Sequence, residues 1–315
     1  MLYFFIAILL FSAMLLYFRI ADKYNIIDKP NERSSHDYIT IRGGGVVFWL
    51  AAMLCCLVGA LRATPLPFPF ALGITLISAV SFWDDIQSLP NKIRIVIHFL
   101  SISLVFYELG MFALPWWLIP TAYIFFVGIL NAYNFMDGIN GITGLYSLAV
   151  LILLQYINYK LIPFTQPDFI NYAIIACMVF LFFNFRKKAK CFAGDVGSMA
   201  ISFWLVTLLL QLMLKTGSFI WILFLAVYGV DSVCTILHRI YLKQNIFKAH
   251  RMHFYQILSN ERGISHLKVS AGYALVQLLI GGTVIQAYRS NMPEWLAGLG
   301  VTFVLSAIYL FKFRK

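Results

Sequence analysis

Residues Leu114 to Gly141 read LPWWLIPTAYIFFVGILNAYNFMDGING. An uncharged apolar run over 114–130 is long enough to cross a lipid bilayer as a helix. It passes directly into asparagines and an aspartate at 131, 134, 137 and 140. The rest of the chain repeats this arrangement. Hydropathy divides it into about eleven apolar spans of ~17–21 residues, roughly 1–19, 44–61, 68–83, 95–109, 114–130, 141–158, 169–185, 198–214, 218–237, 269–288 and 294–311. The odd-numbered spans end in segments rich in Asp, Asn, Arg and His, at 20–42, 84–94, 131–140, 186–197 and 239–268. The connections at the opposite ends are short and bland.

Composition agrees with this reading. The 315 residues are 61% hydrophobic and 12% charged, and the mean hydropathy is +0.83. A soluble chain is about a quarter charged, so a soluble enzyme is excluded. A transmembrane β-barrel would show ~10-residue alternating segments, and there are none. The expected fold is all-α, a polytopic membrane protein with about eleven transmembrane helices. One domain over 1–315 leaves no room for a separate soluble unit. Met1 to Phe5 carry no basic side chain, and no clear small-residue cleavage site follows, so the first span reads as a retained helix rather than a signal peptide.

The net charge of +11 belongs to topology rather than to nucleic acid. Of the 24 Lys and Arg, all but Arg62, Lys160, Lys215 and Arg289 fall on the side that carries the polar segments. The positive-inside rule makes that side cytoplasmic. The N-terminus is then outside, and Phe311-Lys312-Phe313-Arg314-Lys315 is inside. The five cysteines form no Cys-x-x-Cys pair and read as core thiols.

Five polar segments lie on the cytoplasmic side. The first carries Arg33, His36 and Arg42 ahead of Gly43-Gly44-Gly45. Arginine offers phosphate oxygens a planar fork of donors, and the glycines allow close backbone approach to a ligand where a helix begins. A solvated basic loop would read the same way. The second is Asp84-Asp85. Adjacent carboxylates at a helix end stay charged together only beside a cation or a basic group, which suits either a shared Mg²⁺ site or a general base. The third places Asn131, Asn134, Asp137 and Asn140 at every third position, and 131, 134 and 137 share one face of a helix. Amides both donate and accept, as a base or sugar edge requires, although an amide-lined helix interface needs them too. Glycines at 138, 141 and 144 would admit a nucleotide or another helix.

The fourth segment sets Asp195 between Gly194 and Gly197 at the opening of a span, just after Phe192. A carboxylate there is placed to bind a cation that bridges phosphate oxygens. The Gly-Lys-Ser/Thr ending of a Walker loop is missing. The fifth is His250-Arg251-Met252-His253. The two histidines would face the same way on a helix. With Arg251 beside them and no further metal donors in spacing, they suit phosphate better than zinc. Asp231 stands inside the ninth span, where an acid is a functional candidate by default.

Asp-Asp, Asn-x-x-Asn-x-x-Asp-Gly-x-x-Gly, Gly-Asp-x-Gly-Ser and His-Arg-x-His, in this order on one face of the chain, resemble the polyprenyl-phosphate N-acetylhexosamine-1-phosphate transferases of glycosyltransferase family 4. The resemblance runs from the Arg33 loop to His253. It implies transfer of a sugar 1-phosphate from a UDP-N-acetyl sugar to undecaprenyl phosphate, with release of UMP and dependence on Mg²⁺ or Mn²⁺. It implies Asp195 as the metal ligand, with Asn134 beside it. Asp84 and Asp85 become the pair that deprotonates or positions the lipid phosphate. Asn131, Asn134, Asp137 and Asn140 become nucleotide-site and support residues, Phe192 a ring for stacking on uracil, and His250, Arg251 and His253 the sugar-phosphate and diphosphate contacts. Arg33, His36 and Arg42 join the phosphate-binding set.

The His-Arg-x-His segment resembles the branch that starts O-antigen, capsule or related polysaccharides, with UDP-N-acetylglucosamine or UDP-N-acetylfucosamine as donor. The peptidoglycan enzyme that handles the muramoyl pentapeptide carries a run of histidines there and is the alternative. From another class, a transporter or flippase is the rival, although such proteins place their sites near the bilayer midplane within repeats. The implied location is the bacterial cytoplasmic (inner) membrane, among membrane lipid. No nucleic acid is implied, and a homodimer is left open.

Overall fold

The computed structural model describes residues 1–30, 38–62, 68–245 and 250–313. Their chain is helical almost throughout. The long helices are α1 (Leu2–Lys23), α2 (Val46–Leu61), α3 (Phe68–Ile86), α4 (Asn91–Glu108), α5 (Leu118–Met136), α6 (Ile142–Lys160), α7 (Pro167–Asn184), α8 (Gly194–Thr216), α9 (Ala226–Tyr241), α11 (His266–Arg289) and α12 (Glu294–Leu310). Between α9 and α11 lie one turn of helix, α10 (Phe254–Gln256), and a π turn over Ile257–Glu261. A two-stranded antiparallel ribbon, β1 (Ile27–Asp28) with β2 (Thr40–Ile41), precedes α2. With the isolated bridge between Ile41 and Cys191, it makes up the β structure among the described residues.

Eight of these segments are long and apolar enough to cross a membrane. They are α1, α3, α5, α6, α7, α8, α11 and the continuous stretch Phe219–Tyr241, a 3₁₀ helix over Phe219–Leu225 that runs into α9. Helices α2 and α12 are apolar but shorter, at 16 and 17 residues. Helix α4 carries Lys92 and Arg94 in its first turn. Each of the eleven expected spans falls on a helix, and several helices run further at the polar end than hydropathy suggested. Helix α3 continues through Asp84 and Asp85, α5 continues to Met136, and α8 begins at Gly194. Hydropathy ends a span where charge begins. The backbone stays helical because those charges find partners on neighbouring helices.

Helix α8 is the central column. Nearly every residue from Val196 to Leu209 is buried, all round the helix. A helix apolar on every side belongs inside a bundle, and α8 packs against α2, α3, α5 and α6. Its end is set by Gly217 at φ +65°, a left-handed cap that glycine adopts without strain. The switch from 3₁₀ to α geometry at Leu225 leaves backbone groups without helical partners, and side chains supply them. Gln277 of α11 accepts from Val227 N (3.2 Å) and donates to Leu223 O (3.1 Å). The Tyr146 hydroxyl donates to the same Gln277 oxygen at 2.7 Å. Broken helices survive at membrane depth only where protein satisfies them in this way.

Two of the three glycines before α2, Gly44 and Gly45, pack against the chain that leads into α8, while Gly43 faces the Tyr17 and Phe82 side chains. Gly44 N donates to Phe192 O (2.8 Å) and Gly45 N to Ala193 O (3.0 Å), while Phe192 N returns a bond to Ile41 O (2.8 Å). A Cβ on Gly45 would fall on the Cα of Gly197, and one on Gly44 would strike Cys191 Sγ. The close approach expected of a ligand is therefore taken by the start of α8. Gly138, likewise, faces the Tyr255 ring, and Gly141 faces Phe185.

Gly45→Ala is expected to lower the thermal midpoint of the detergent-solubilised protein, at a cost of about 1–3 kcal/mol from overpacking. Gly282→Ala, where an added methyl meets nothing within 4 Å, should leave the midpoint unchanged. Equal midpoints for the two variants would refute the packing argument.

Candidate active site

The acids gather where α3 ends and α8 begins. Asp85, at the C-terminal end of α3, has a side chain with no exposure. Its Oδ1 accepts from Asp195 N at 2.9 Å, and its Oδ2 accepts from Val196 N at 3.0 Å. The carboxylate thus caps α8, whose first N–H groups have no helical partners and carry the positive end of the helix dipole. Arg42 Nε lies 2.7 Å from the same Oδ1, and the Tyr17 hydroxyl holds the Arg42 carbonyl at 2.6 Å. Gly194 bends into α8 at φ +72°, and a Cβ there would meet Asp85 Oδ2.

Asp84 and Asp195 keep some exposure, 10% and 19% of their side chains. Asp84 accepts from Leu89 N (2.7 Å) and pairs with Arg94 Nη1 (2.7 Å). Its carboxyl lies within hydrogen-bonding reach of Asp195. Around Asp195 stand Asn134 Nδ2 at 3.0 Å, Arg42 at 3.7 Å and Arg94 at 3.7 Å. Asn134 also reaches Ser198 Oγ at 3.2 Å. Asp195 therefore has loose ionic partners on two sides and keeps acceptor capacity, whereas both oxygens of Asp85 are taken.

Two carboxylates this close need a proton or a cation between them. No group of three or more His, Cys, Asp and Glu converges as metal ligands among the described residues. The donors available are Asp195, Asp84 and the amide of Asn134. All are hard oxygen donors, which suit Mg²⁺ or Mn²⁺ rather than zinc. Asn134 would have to present its oxygen, and a turn of its amide does that.

The rest of the Asn-x-x-Asn-x-x-Asp stripe divides, because α5 stops at Met136. Asn131 Nδ2 donates back to Val127 O of its own helix (2.8 Å). Asp137 lies just past the helix end and accepts from the Thr143 hydroxyl at 2.7 Å. Burial pushes its carboxyl up to about 7 and the charge of Asp195 adds to the rise, while Thr143 and Arg42 oppose it. Asn140 is buried, and its amide donates to Arg186 O (2.8 Å) and to the Tyr38 hydroxyl (3.2 Å). It joins loops where the sequence suggested a nucleotide contact. Phe192 gives its backbone to the ribbon and keeps a partly exposed ring.

His253 opens α10 and is 3% exposed. Its Nδ1 lies 3.3 Å from Asp231. The Tyr255 hydroxyl donates to Phe135 O at 2.9 Å, which docks α10 on the end of α5 beside Asn134 and Asp137. The His250 ring stands 5.0 Å from that of His253. Burial, together with His253, Arg239 and Lys312, lowers its imidazole to about 4, so it is neutral at pH 7. Arg251 is partly buried beside them. Arg33 and His36 lie outside the described residues. A cavity of about 260 Å³ opens between α9, α11 and α12, lined by Asp231, Lys268, Tyr273, Tyr309 and otherwise apolar residues, and none of Asp84, Asp85 and Asp195 borders it.

Sequence reasoning missed Arg94, whose signal was its place one short loop after the paired aspartates. It also missed Tyr38 and Asn184. The Asn184 amide accepts from Gly141 N (2.6 Å) and donates to Cys191 O (2.8 Å), joining the third and fourth polar segments. Neither residue differs in pattern from any interfacial Tyr or Asn.

The fold and the site define a multi-pass α-helical membrane protein with carboxylates and guanidinium groups collected at one end of its bundle. Residues 67–213 match the family described as glycosyl transferase family 4. The chain is 27% identical over 275 residues to the probable undecaprenyl-phosphate N-acetylglucosaminyl 1-phosphate transferase of Bacillus subtilis (strain 168), covering 79% of this chain and 73% of that one. It is 26% identical over 342 residues to the undecaprenyl-phosphate alpha-N-acetylglucosaminyl 1-phosphate transferase of Salmonella typhi, covering 98% and 89%. A phospho-N-acetylmuramoyl-pentapeptide-transferase of Desulfitobacterium hafniense is 28% identical over 237 residues, covering 70% and 66%. The family match and the named relatives point the same way, toward glycosyl transferase family 4.

Two outcomes follow from the geometry. Asp85→Ala is expected to cost about 1–3 kcal/mol, because it strands two N–H groups at the start of α8, whereas Asp84→Asn should barely move the thermal midpoint. Similar midpoints would contradict the capping role. For Asp137 the folded state favours the protonated form. Its contribution to stability is complete below the ordinary carboxyl range near 3.8 and is lost as pH rises through about 7. Between pH 5 and 8 the wild-type midpoint should fall more than that of Asp137→Asn, and parallel curves would disprove the assignment.

Proposed function

We propose that this chain transfers an N-acetylhexosamine 1-phosphate from a UDP-sugar to undecaprenyl phosphate and releases UMP. The relatives' names supply the reaction class. The observation that carries the reading is the meeting of Asp84 and Asp195 between Arg42 and Arg94 at the ends of apolar helices. Acidic and basic groups alternate there, as a metal-bound diphosphate requires, and helix ends are where a lipid phosphate can reach water.

In the proposed reaction an oxygen of the lipid phosphate attacks the β-phosphorus of the donor. The bond from that phosphorus to the bridging oxygen breaks, and UMP leaves with the electron pair. Arg42 and Arg94 meet the charge that develops on the diphosphate oxygens. Asp84 takes up or steers the acceptor's proton. Asp85, with its oxygens engaged, acts through Arg42 and the start of α8. Asp195 and Asn134 would hold Mg²⁺ or Mn²⁺, which when bound supplies positive charge to the same oxygens. Asp137 and the Phe192 ring border the nucleotide, and His250, Arg251 and His253 meet the sugar phosphate, together with Arg33 and His36. Direct attack is favoured over a covalent enzyme intermediate, which would need a second displacement in the same crowded space.

The donor we assign is UDP-N-acetylglucosamine or a 6-deoxy relative, in the step that initiates O-antigen, capsule or another envelope polysaccharide. The site would face the cytoplasm from the bacterial inner membrane. The muramoyl-pentapeptide reading keeps some support from the Desulfitobacterium relative. The transporter reading rested on Asp231, and that carboxylate is engaged by five neighbouring residues, Thr235, His253, Phe254, Tyr255 and Tyr273, four of them at 3.3 Å or less.

The test is UMP release by purified protein with undecaprenyl phosphate and Mg²⁺, across UDP-N-acetylglucosamine, UDP-N-acetylgalactosamine, UDP-N-acetylfucosamine and UDP-muramoyl-pentapeptide. UMP that requires both lipid and metal is the expected result. Asp195→Asn should reduce turnover by at least roughly a hundredfold, on the scale of losing one group that stabilises transition-state charge. Wild-type turnover in that variant, or UMP formed without lipid, would sink the proposal.

A further inference from the structure

Asp231 is buried in α9, 3% exposed, away from the acids of the site. Its hydrogen bonds converge on the His250–Tyr255 segment. Oδ1 accepts from Phe254 N at 2.9 Å, and Oδ2 is reached by Tyr255 N at 3.4 Å. Oδ2 also accepts from the Tyr273 hydroxyl of α11 at 2.6 Å. The Thr235 hydroxyl, one turn on in α9, lies 3.3 Å from Oδ1 and shares a 2.9 Å bond with the Tyr309 hydroxyl of α12. Against these the His253 ring sets Nδ1 at 3.3 Å. An ionised carboxylate only accepts, so Nδ1 beside it carries the proton.

The other ring nitrogen is the telling one. His253 Nε2 is buried and has no hydrogen-bond partner among the described residues. Buried polar atoms are nearly always satisfied, and one left open costs stability. The ring is clamped from behind by a carboxylate, with the Phe135, His250 and Tyr255 rings around it. A group that orients one nitrogen of a histidine sets what the other nitrogen can do.

We propose that Asp231 is a positioning residue for the donor site. With Tyr273 it fixes the His253 ring so that Nε2 is presented to the sugar-phosphate part of the UDP-sugar. The inference rests on the transferase reading above. It gives the intramembrane acid a part in donor recognition and none in transport. Asp231 touches neither substrate nor reacting atoms and acts through His253 alone.

A double-mutant cycle on the full chain, assayed by UMP release, tests it. Asp231→Asn and His253→Ala should each reduce kcat/KM for the donor by roughly tenfold to a hundredfold, the range for losing a group that orients a ligand. The KM for undecaprenyl phosphate should stay unchanged. The double variant should be no worse than the poorer single one, within about twofold, because the two residues act as a unit. Multiplying losses, or an equal rise in the acceptor KM, would show Asp231 to be structural only and overturn the inference. If Asp231→Asn does not fold, the same cycle run with Tyr273→Phe decides the matter, with coupling to His253→Ala in support and independent losses against. A wild-type protein that releases no UMP from any donor would overturn the transferase reading, and this inference with it.

Discussion

The carboxylate of Asp85 is the contact on which the polar end of the bundle depends. It satisfies two N–H groups in the first turn of α8, those of Asp195 and Val196, and pairs with Arg42. One side chain thereby joins the end of α3, the start of the central helix and the loop that leads into α2. A buried carboxylate is costly unless it is paired and hydrogen-bonded, and this one is both. Gly194, which leaves no room for a Cβ beside Asp85, lets α8 begin at that distance. Gly45 against Gly197 brings α2 to the same point. The neighbouring positions then follow. Asp195 lies one residue past Gly194 and is turned toward Asn134, and Asp84 lies one residue before Asp85 and is turned toward Arg94.

Much of this was legible in the sequence, for definite reasons. The positions of the long apolar helices could be read because a bilayer demands apolar runs of a set length, and eight of the eleven expected spans reach that length. Asp84, Asp195, Asn134 and Arg42 could be brought together on paper because their segments fall on the same side of the membrane, and the structure places them within a few ångströms of one another. The helix ends were less legible, since hydropathy drops at the first charge whether or not the helix continues. The roles of single glycines and asparagines were hidden for another reason. Gly44 next to Cys191, and Asn140 between Arg186 and Tyr38, depend on contacts more than a hundred residues apart or on loops with no period. The partners of Asp231 were equally out of reach, because Tyr273 and the amide of Phe254 carry no signal that singles them out.

The arrangement also separates two kinds of acid. Asp85 and Asp231 are both deeply buried, both accept from backbone N–H groups at the start of a helix, and both present oxygens that are already taken. Each fixes a segment that carries a functional candidate, Asp195 in one case and His253 in the other. An acid inside a membrane helix is thus explained by what it holds in place, and its depth is no evidence of an ion path. In this chain the two anchors lie at the starts of α8 and α10, whose docking on the end of α5 brings both candidates beside Asn134 and Asp137.

The charge balance of the site bears on what it can take. With all three ionised, Asp84, Asp85 and Asp195 carry one charge more than Arg42 and Arg94 offset, and a proton or a cation shared by Asp84 and Asp195 makes up the difference. A diphosphate brought to such a site would be repelled. On the proposed reading, a divalent cation held by Asp195 would reverse the sign and supply positive charge, with the two guanidinium groups on either side. The same carboxylates would, on the proposed reading, attract the metal first and admit the nucleotide sugar only with it. The loose 3.7 Å contacts from both arginines to Asp195 fit that order, because Asp195 can exchange a guanidinium for a cation while Asp85 keeps its tight 2.7 Å partner and the helix end stays fixed. On that reading, selectivity for a phosphorylated substrate would follow from a site one charge short, set where apolar helices meet water.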